Sequence, residues 1–64
     1  MNTQDLEDVY GRLCLRLTAA GETNTPMVLA RLALLMMEQV GDRKTVERLI
    51  DEASAGYVHK EGHA

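Results

Sequence analysis

Hydrophobic and polar positions along the chain follow the period of an α-helix in three successive segments. In the first, about residues 5–20, apolar side chains recur three and four positions apart, as on one face of a helix. These are Leu6, Val9, Tyr10, Leu13 and Leu17. We expect Asn2 or Thr3 to cap the start of this helix and Gly21 to end it. Leu15 points away from the stripe, so it is either an ordinary exposed leucine or a contact to a second subunit.

The second segment, residues 25–40, is apolar around almost its whole circumference. Thr25 is expected to cap it, with Pro26 at the first helical position and Gly41 behind its end. A helix that is apolar nearly all round has to be buried nearly all round. Two amphipathic neighbours in so short a chain cannot cover it, so we expect a second subunit to do so. The predicted interface consists of Leu29, Leu32, Leu35, Met36, Met37 and Val40.

Arg31 and Glu38 form the only polar stripe on this second segment and lie seven residues apart. Two interpretations remain open. Their charged ends can reach solvent at the rim of an apolar interface, as long side chains often do, or they can recognise a partner across that interface. The first interpretation is favoured.

The third segment runs from Asp42, a good capping residue, to about Ala55, with Gly56 as its stop. The loop of about five residues between the first two helices favours an antiparallel hairpin. The predicted fold is therefore all-α: a helical hairpin plus a short third helix over residues 1–56, assembled as a homodimeric helical bundle. Residues 57–64 show no periodicity and are expected to form a mobile tail.

Composition narrows the classes of partner. The 64 residues carry seven basic and ten acidic side chains, a net charge of −3, which argues against nucleic acid because phosphate binding needs a clustered basic surface. The most apolar stretch, residues 27–37, is interrupted by Arg31 and is shorter than the roughly 20 residues of a membrane span. A chain of this size usually needs a disulfide, a metal or oligomerisation for stability. We expect a cytoplasmic protein without a cofactor.

Few residues suggest chemistry. Cys14 is the one cysteine, so no disulfide can form within the chain, and the residue is better interpreted as a small, buried or half-buried apolar side chain than as a reactive thiol. His59 and His63 are four residues apart and could bind a metal on a helix, although two solvated tail histidines are the preferred interpretation. No set of acid, base and nucleophile converges, so we predict no catalytic residues and no enzyme.

Two short motifs resemble a family of short bacterial helical proteins of unknown function. They are Ala30-Arg31-Leu32 and Val40-Gly41-Asp42, with Asp8-Val9-Tyr10 upstream, and the resemblance covers most of residues 5–55. The family usually carries Asn at the position of Leu29, which puts any role of that Asn in doubt here. Its members are often encoded near flavin-dependent aromatic hydroxylases. The resemblance therefore implies an accessory role in aromatic catabolism and supplies no catalytic residues.

Three functions follow from these observations. The leading hypothesis is a non-catalytic helical protein that acts through self-association and protein–protein interaction. The alternative is an accessory subunit of a larger enzyme, such as a flavin-dependent or other aromatic-compound hydroxylase. A weaker alternative is a binder of a small molecule or metal, either in the cleft of a dimer or at the tail histidines.

Overall fold

A computed structural model describes residues 1–57 of the chain, and within them all regular structure is helical. The elements are α1 (Thr3–Ala20), a 3-10 turn (Glu22–Asn24), α2 (Thr25–Val40) and α3 (Arg43–Ser54). The prediction of an all-α chain with three α-helices is confirmed for this part of the sequence. Apart from Tyr57, the tail predicted at residues 57–64 lies outside the described residues.

The chain divides into two compact units, Met1–Leu34 and Leu35–Ala64. The first contains α1, the 3-10 turn and the start of α2. The second contains the end of α2 and, after it, α3.

In the first unit, α1 begins at one of its two predicted capping residues. The side-chain oxygen of Asn2 accepts a hydrogen bond from the N–H of Asp5 at 2.7 Å, which satisfies one of the free amide groups in the first turn of α1. At the other end, Gly21 has a φ of 94° and donates its N–H to the carbonyl oxygen of Leu17 at 3.1 Å. Both predicted ends of α1 are confirmed, with Asn2 as the capping residue of the two proposed.

The connection from α1 to α2 differs from the prediction at Thr25. This residue already has helical dihedral angles, φ −54° and ψ −48°, and its hydroxyl donates to the carbonyl oxygen of Gly21 at 3.4 Å. The prediction that Thr25 caps α2 is therefore wrong. The physical reason is the 3-10 turn, which runs directly into α2 and leaves no extended residue where a capping side chain could stand. Pro26 accordingly occupies the second position of α2.

Within residues 1–34, α1 approaches only the 3-10 turn. No pair of residues in this unit that lie twelve or more positions apart has Cα atoms within 8 Å. The antiparallel hairpin of α1 and α2 is therefore not formed within these residues. The short connection is itself helical over Glu22–Asn24, so it does not supply the extended backbone that a tight reversal needs.

In the second unit, glycine and aspartate separate α2 from α3 as the sequence predicted. Gly41 has a φ of 69° and donates its N–H to the carbonyl oxygen of Met37 at 2.9 Å. The carboxylate of Asp42 then accepts hydrogen bonds from the N–H and the hydroxyl of Thr45, at 2.9 Å and 2.6 Å. Gly56, with a φ of 87°, follows the end of α3. Local chemistry thus defines both ends of this helix.

Neither unit has a buried core among the described residues. No side chain of residues 1–57 is buried, and the apolar ones are exposed or at best half-buried. The helices are therefore defined by local hydrogen bonds and caps, and their apolar surfaces remain in contact with solvent.

Candidate interaction surface

The candidate site is the apolar surface of α2. Met27, Leu34 and Leu35 are 62%, 63% and 61% exposed, and Met36 is 57% exposed. Side chains of this kind are normally among the most buried in a folded protein. A helix with several of them in water is a candidate interaction surface.

The residues of the predicted interface differ in exposure. Leu29, Leu35, Met36 and Val40 are exposed, whereas Leu32 and Met37 are half-buried. The sequence-based list omitted Met27 and Leu34, which are as exposed as any apolar residue of this helix. Their positions could have identified them as part of this surface. Met27 lies four residues before Arg31 and Leu34 lies three residues after it, on the same side of the helix.

Helix geometry divides the surface of α2 into two opposite faces. At roughly 100° per residue, one face contains only aliphatic and thioether side chains. We call it the aliphatic face, and it consists of Leu29, Leu32, Met36 and Val40. The opposite side, here called the Arg31 face, consists of Met27, Arg31, Leu34, Leu35 and Glu38. Because the apolar side chains lie on two opposite faces, a single neighbouring helix cannot bury both of them.

Among residues 1–57, the charges of the Arg31 face take part in no ion pair. Within residues 1–57, the ion pairs are Arg43 with Glu47 at 3.0 Å and Arg48 with Glu52 at 2.7 Å, both on α3. These pairs are exposed and four residues apart, a spacing that brings side chains of one helix together. The two charges of α2 are seven residues apart and lack such a neighbour.

The other two helices also expose apolar stripes. On α1, Leu6, Val9 and Tyr10 are more than half exposed, and on α3, Leu49 and Ile50 are close to half exposed. On α3 the charged side chains occupy the other side, so this helix is strongly amphipathic. Both α1 and α3 therefore present an apolar side with no cover within their own unit.

Cys14 is exposed and carries a free thiol. The burial expected for Cys14 is therefore not seen in the single chain, because nothing within residues 1–34 packs against that side of α1. His59 and His63 lie outside the described residues. Among residues 1–57, no three metal-binding side chains (His, Cys, Asp or Glu) stand close enough together to hold a metal ion.

One open depression lies in the first unit. Its volume is about 300 Å³, and it is lined by Leu17, Thr18, Glu22 and Thr25. Two hydroxyl groups and one carboxylate at a solvent-open surface do not form the enclosed, mostly apolar cavity that small ligands usually occupy.

Over residues 1–57 the observed class is all-α, with three α-helices that have uncovered apolar faces. None of the helices described over residues 1–57 is long and apolar enough to cross a membrane. No family model, curated protein or solved structure matches the chain. The resemblance to the family of short bacterial helical proteins thus stays a prediction.

Proposed function

We propose that the protein is a non-catalytic helical protein that acts by self-association through α2, with a homodimer as the preferred state. The observation that carries the proposal is the exposure of apolar side chains on both faces of α2, in a chain whose described residues include no buried side chain. A second copy would cover this surface.

The magnitude of the hydrophobic effect supports association. Full burial of a leucine or methionine side chain contributes about 1.5–3 kcal/mol, so a side chain that is still about 60% exposed retains about 1–2 kcal/mol to be gained. Met27, Leu34, Leu35 and Met36 each have this property, and a twofold dimer counts each of them twice. Isolated helices shorter than about 12–15 residues are marginal in water, and helices in proteins owe most of their stability to the packing of an apolar face. Helix formation and association should therefore be coupled.

An arrangement that covers much of α2 is a four-helix core built from the α1 and α2 helices of two chains. In such bundles each helix turns one side to the shared core, so the core would cover one of the two opposite faces of α2. Since α1 does not fold back on α2 within residues 1–34, the second copy would supply the α1 stripe (Leu6, Val9 and Tyr10) to this core. The amphipathic α3 would pack on the outside of the core.

The direct test is sedimentation together with circular dichroism, from low to high micromolar concentration. We expect a monomer–dimer equilibrium and a helical signal that rises as the dimer forms. A monomer that keeps full helix content over the whole range would contradict the proposal, because its helices would then need no partner.

A chain that stays monomeric and poorly helical at every concentration would also contradict self-association. It would favour the second proposal, an accessory subunit of a larger enzyme, for which the family resemblance suggests an aromatic-compound hydroxylase. The same apolar surface would then contact that enzyme. Co-purification of the tagged chain with the products of neighbouring genes tests this alternative, and recovery of the chain alone would count against it.

A further inference from the structure

The surroundings of Arg31 are unusual for a solvated charge. Its four neighbours on the helix surface, three and four residues away on either side, are Met27, Val28, Leu34 and Leu35. Three of these four apolar side chains are more than 60% exposed. The guanidinium group thus stands in the middle of an uncovered apolar surface, where a partner would have to accommodate its charge.

Glu38 provides the complementary charge at a defined distance. Seven helical residues correspond to about 10.5 Å along the axis, and the two positions differ by only about 20° around it. Both side chains are exposed, and neither takes part in an ion pair within residues 1–57. Each α2 therefore carries one positive and one negative charge, two turns apart on the same face.

This pattern is self-complementary about its midpoint. We propose that α2 of a second copy lies antiparallel across the Arg31 face, with the twofold axis between Leu34 and Leu35, so that Arg31 of each chain meets Glu38 of the partner subunit. The inference rests on the proposed self-association and specifies its geometry. The aliphatic face then remains for another helix of the assembly.

Charge complementarity selects this orientation over the others. A twofold dimer repeats every contact, so an Arg31–Glu38 contact occurs twice in the antiparallel arrangement. Parallel helices in register would instead place Arg31 against Arg31 and Glu38 against Glu38, and like charges at an interface are unfavourable. A parallel arrangement shifted by seven residues would form the contact only once and would break the symmetry.

The long side chains also suit the edge of such an interface. The aliphatic stem of Arg31 can cover Leu34 and Leu35 while its charged end reaches the carboxylate. Pairs of this kind add modest affinity and contribute mainly to the choice and orientation of the partner.

The test uses Arg31→Glu and Glu38→Arg in the full chain, with sedimentation equilibrium at low salt. Each variant alone would form a dimer with two like-charge contacts, so we expect its dissociation constant to rise roughly tenfold or more. A one-to-one mixture of the two variants restores opposite charges at both contacts and should dimerise as a heterodimer with nearly wild-type affinity. The double variant Arg31→Glu/Glu38→Arg should also recover, because it only exchanges the two charges.

The mixture serves as the control for folding, since a variant that had merely lost its helix would not be rescued by the other. Unchanged dissociation constants for both single variants would overturn the antiparallel arrangement, as would weakened variants that the mixture does not restore. If the wild-type chain shows no dimer, self-association itself fails and the inference fails with it. A wild-type dimer whose dissociation constant does not respond to the charge substitutions refutes only the antiparallel orientation. The two failures are therefore distinguishable.

Discussion

Leu35→Asp is the substitution that should disrupt assembly most directly. Leu35 is 61% exposed in the single chain and lies next to the proposed twofold axis, so each dimer contains it twice at its centre. We expect the variant to remain monomeric at concentrations where the wild-type chain is a dimer.

The expected magnitude follows from the exposure of this side chain. Burial of the remaining surface of one leucine contributes about 1–2 kcal/mol, and the twofold axis doubles this to about 2–4 kcal/mol per dimer. At 1.4 kcal/mol for each factor of ten, the loss corresponds to a dissociation constant about a hundredfold higher. The carboxylate adds a desolvation cost because it would be buried without a partner, so the low end of the range of about 2–4 kcal/mol, about a 30-fold increase in the dissociation constant, is a lower bound.

Leu15→Asp is the matched control. Leu15 is 73% exposed, lies within α1 and points away from its apolar stripe, so the same substitution makes a similar change in helix propensity and charge. Sedimentation equilibrium of both variants, with circular dichroism on the same samples, checks the prediction. Equal dissociation constants for Leu35→Asp and wild type would refute the assignment of α2 as the interface. Equal weakening by both variants would contradict it as well, because the change in helix propensity and charge that the two substitutions share would then explain the effect.

The remaining predictions concern the ends and the interior of the helices. Gly11→Ala should stabilise α1 by about 0.5–1 kcal/mol, because glycine is costly inside a helix and an added Cβ would meet no atom within 4 Å. Gly41→Ala should instead lower the stability by about 1 kcal/mol, because a φ of 69° is strained for an L-residue. Thermal unfolding of both variants at the same protein concentration should show shifts of the unfolding temperature in opposite directions. Hydrogen bonds from the hydroxyl and the N–H of Thr45 lower the pKa of Asp42 below its ordinary value of 3.8. The stability contributed by this carboxylate is therefore complete above that pH and is lost as the pH falls through the lower pKa of the folded state. Asp42→Asn retains a capping oxygen that does not titrate. The difference in helix content between the wild type and this variant should therefore change as the pH falls into the acid range. A difference that is independent of pH would contradict the role of the carboxylate.

Much of the local structure could be predicted from the sequence because it depends on neighbours only a few residues away. Asn2 and Asp42 cap helices through side-chain oxygens that accept hydrogen bonds from N–H groups three residues later. Gly21 and Gly41 end helices because positive φ values cost glycine little. The start of α2 could not be predicted as well, because Thr25 serves as a cap only if its own backbone is extended. The 3-10 turn removes that condition.

The candidate surface was predictable in outline and incomplete in detail. The composition and period of residues 25–40 predict a helix that is apolar around almost its whole circumference, and this pattern marked α2 as the candidate surface. Which of its side chains are most exposed depends on what the rest of each unit covers, and for this reason Met27 and Leu34 were missed. The same dependence explains the exposed thiol of Cys14, which was expected to be at least partly buried.

The sequence by itself determined that the chain forms three helices and where most of them begin and end, because caps, glycines and the apolar period act over one or two turns. Only the three-dimensional arrangement showed that no side chain of residues 1–57 is buried and that α1 does not fold back within residues 1–34. Burial depends on contacts between residues far apart in the sequence, and periodicity carries no information about which of these contacts form. The apolar circumference of α2 is therefore a property of the sequence, whereas its exposure is a property of the fold.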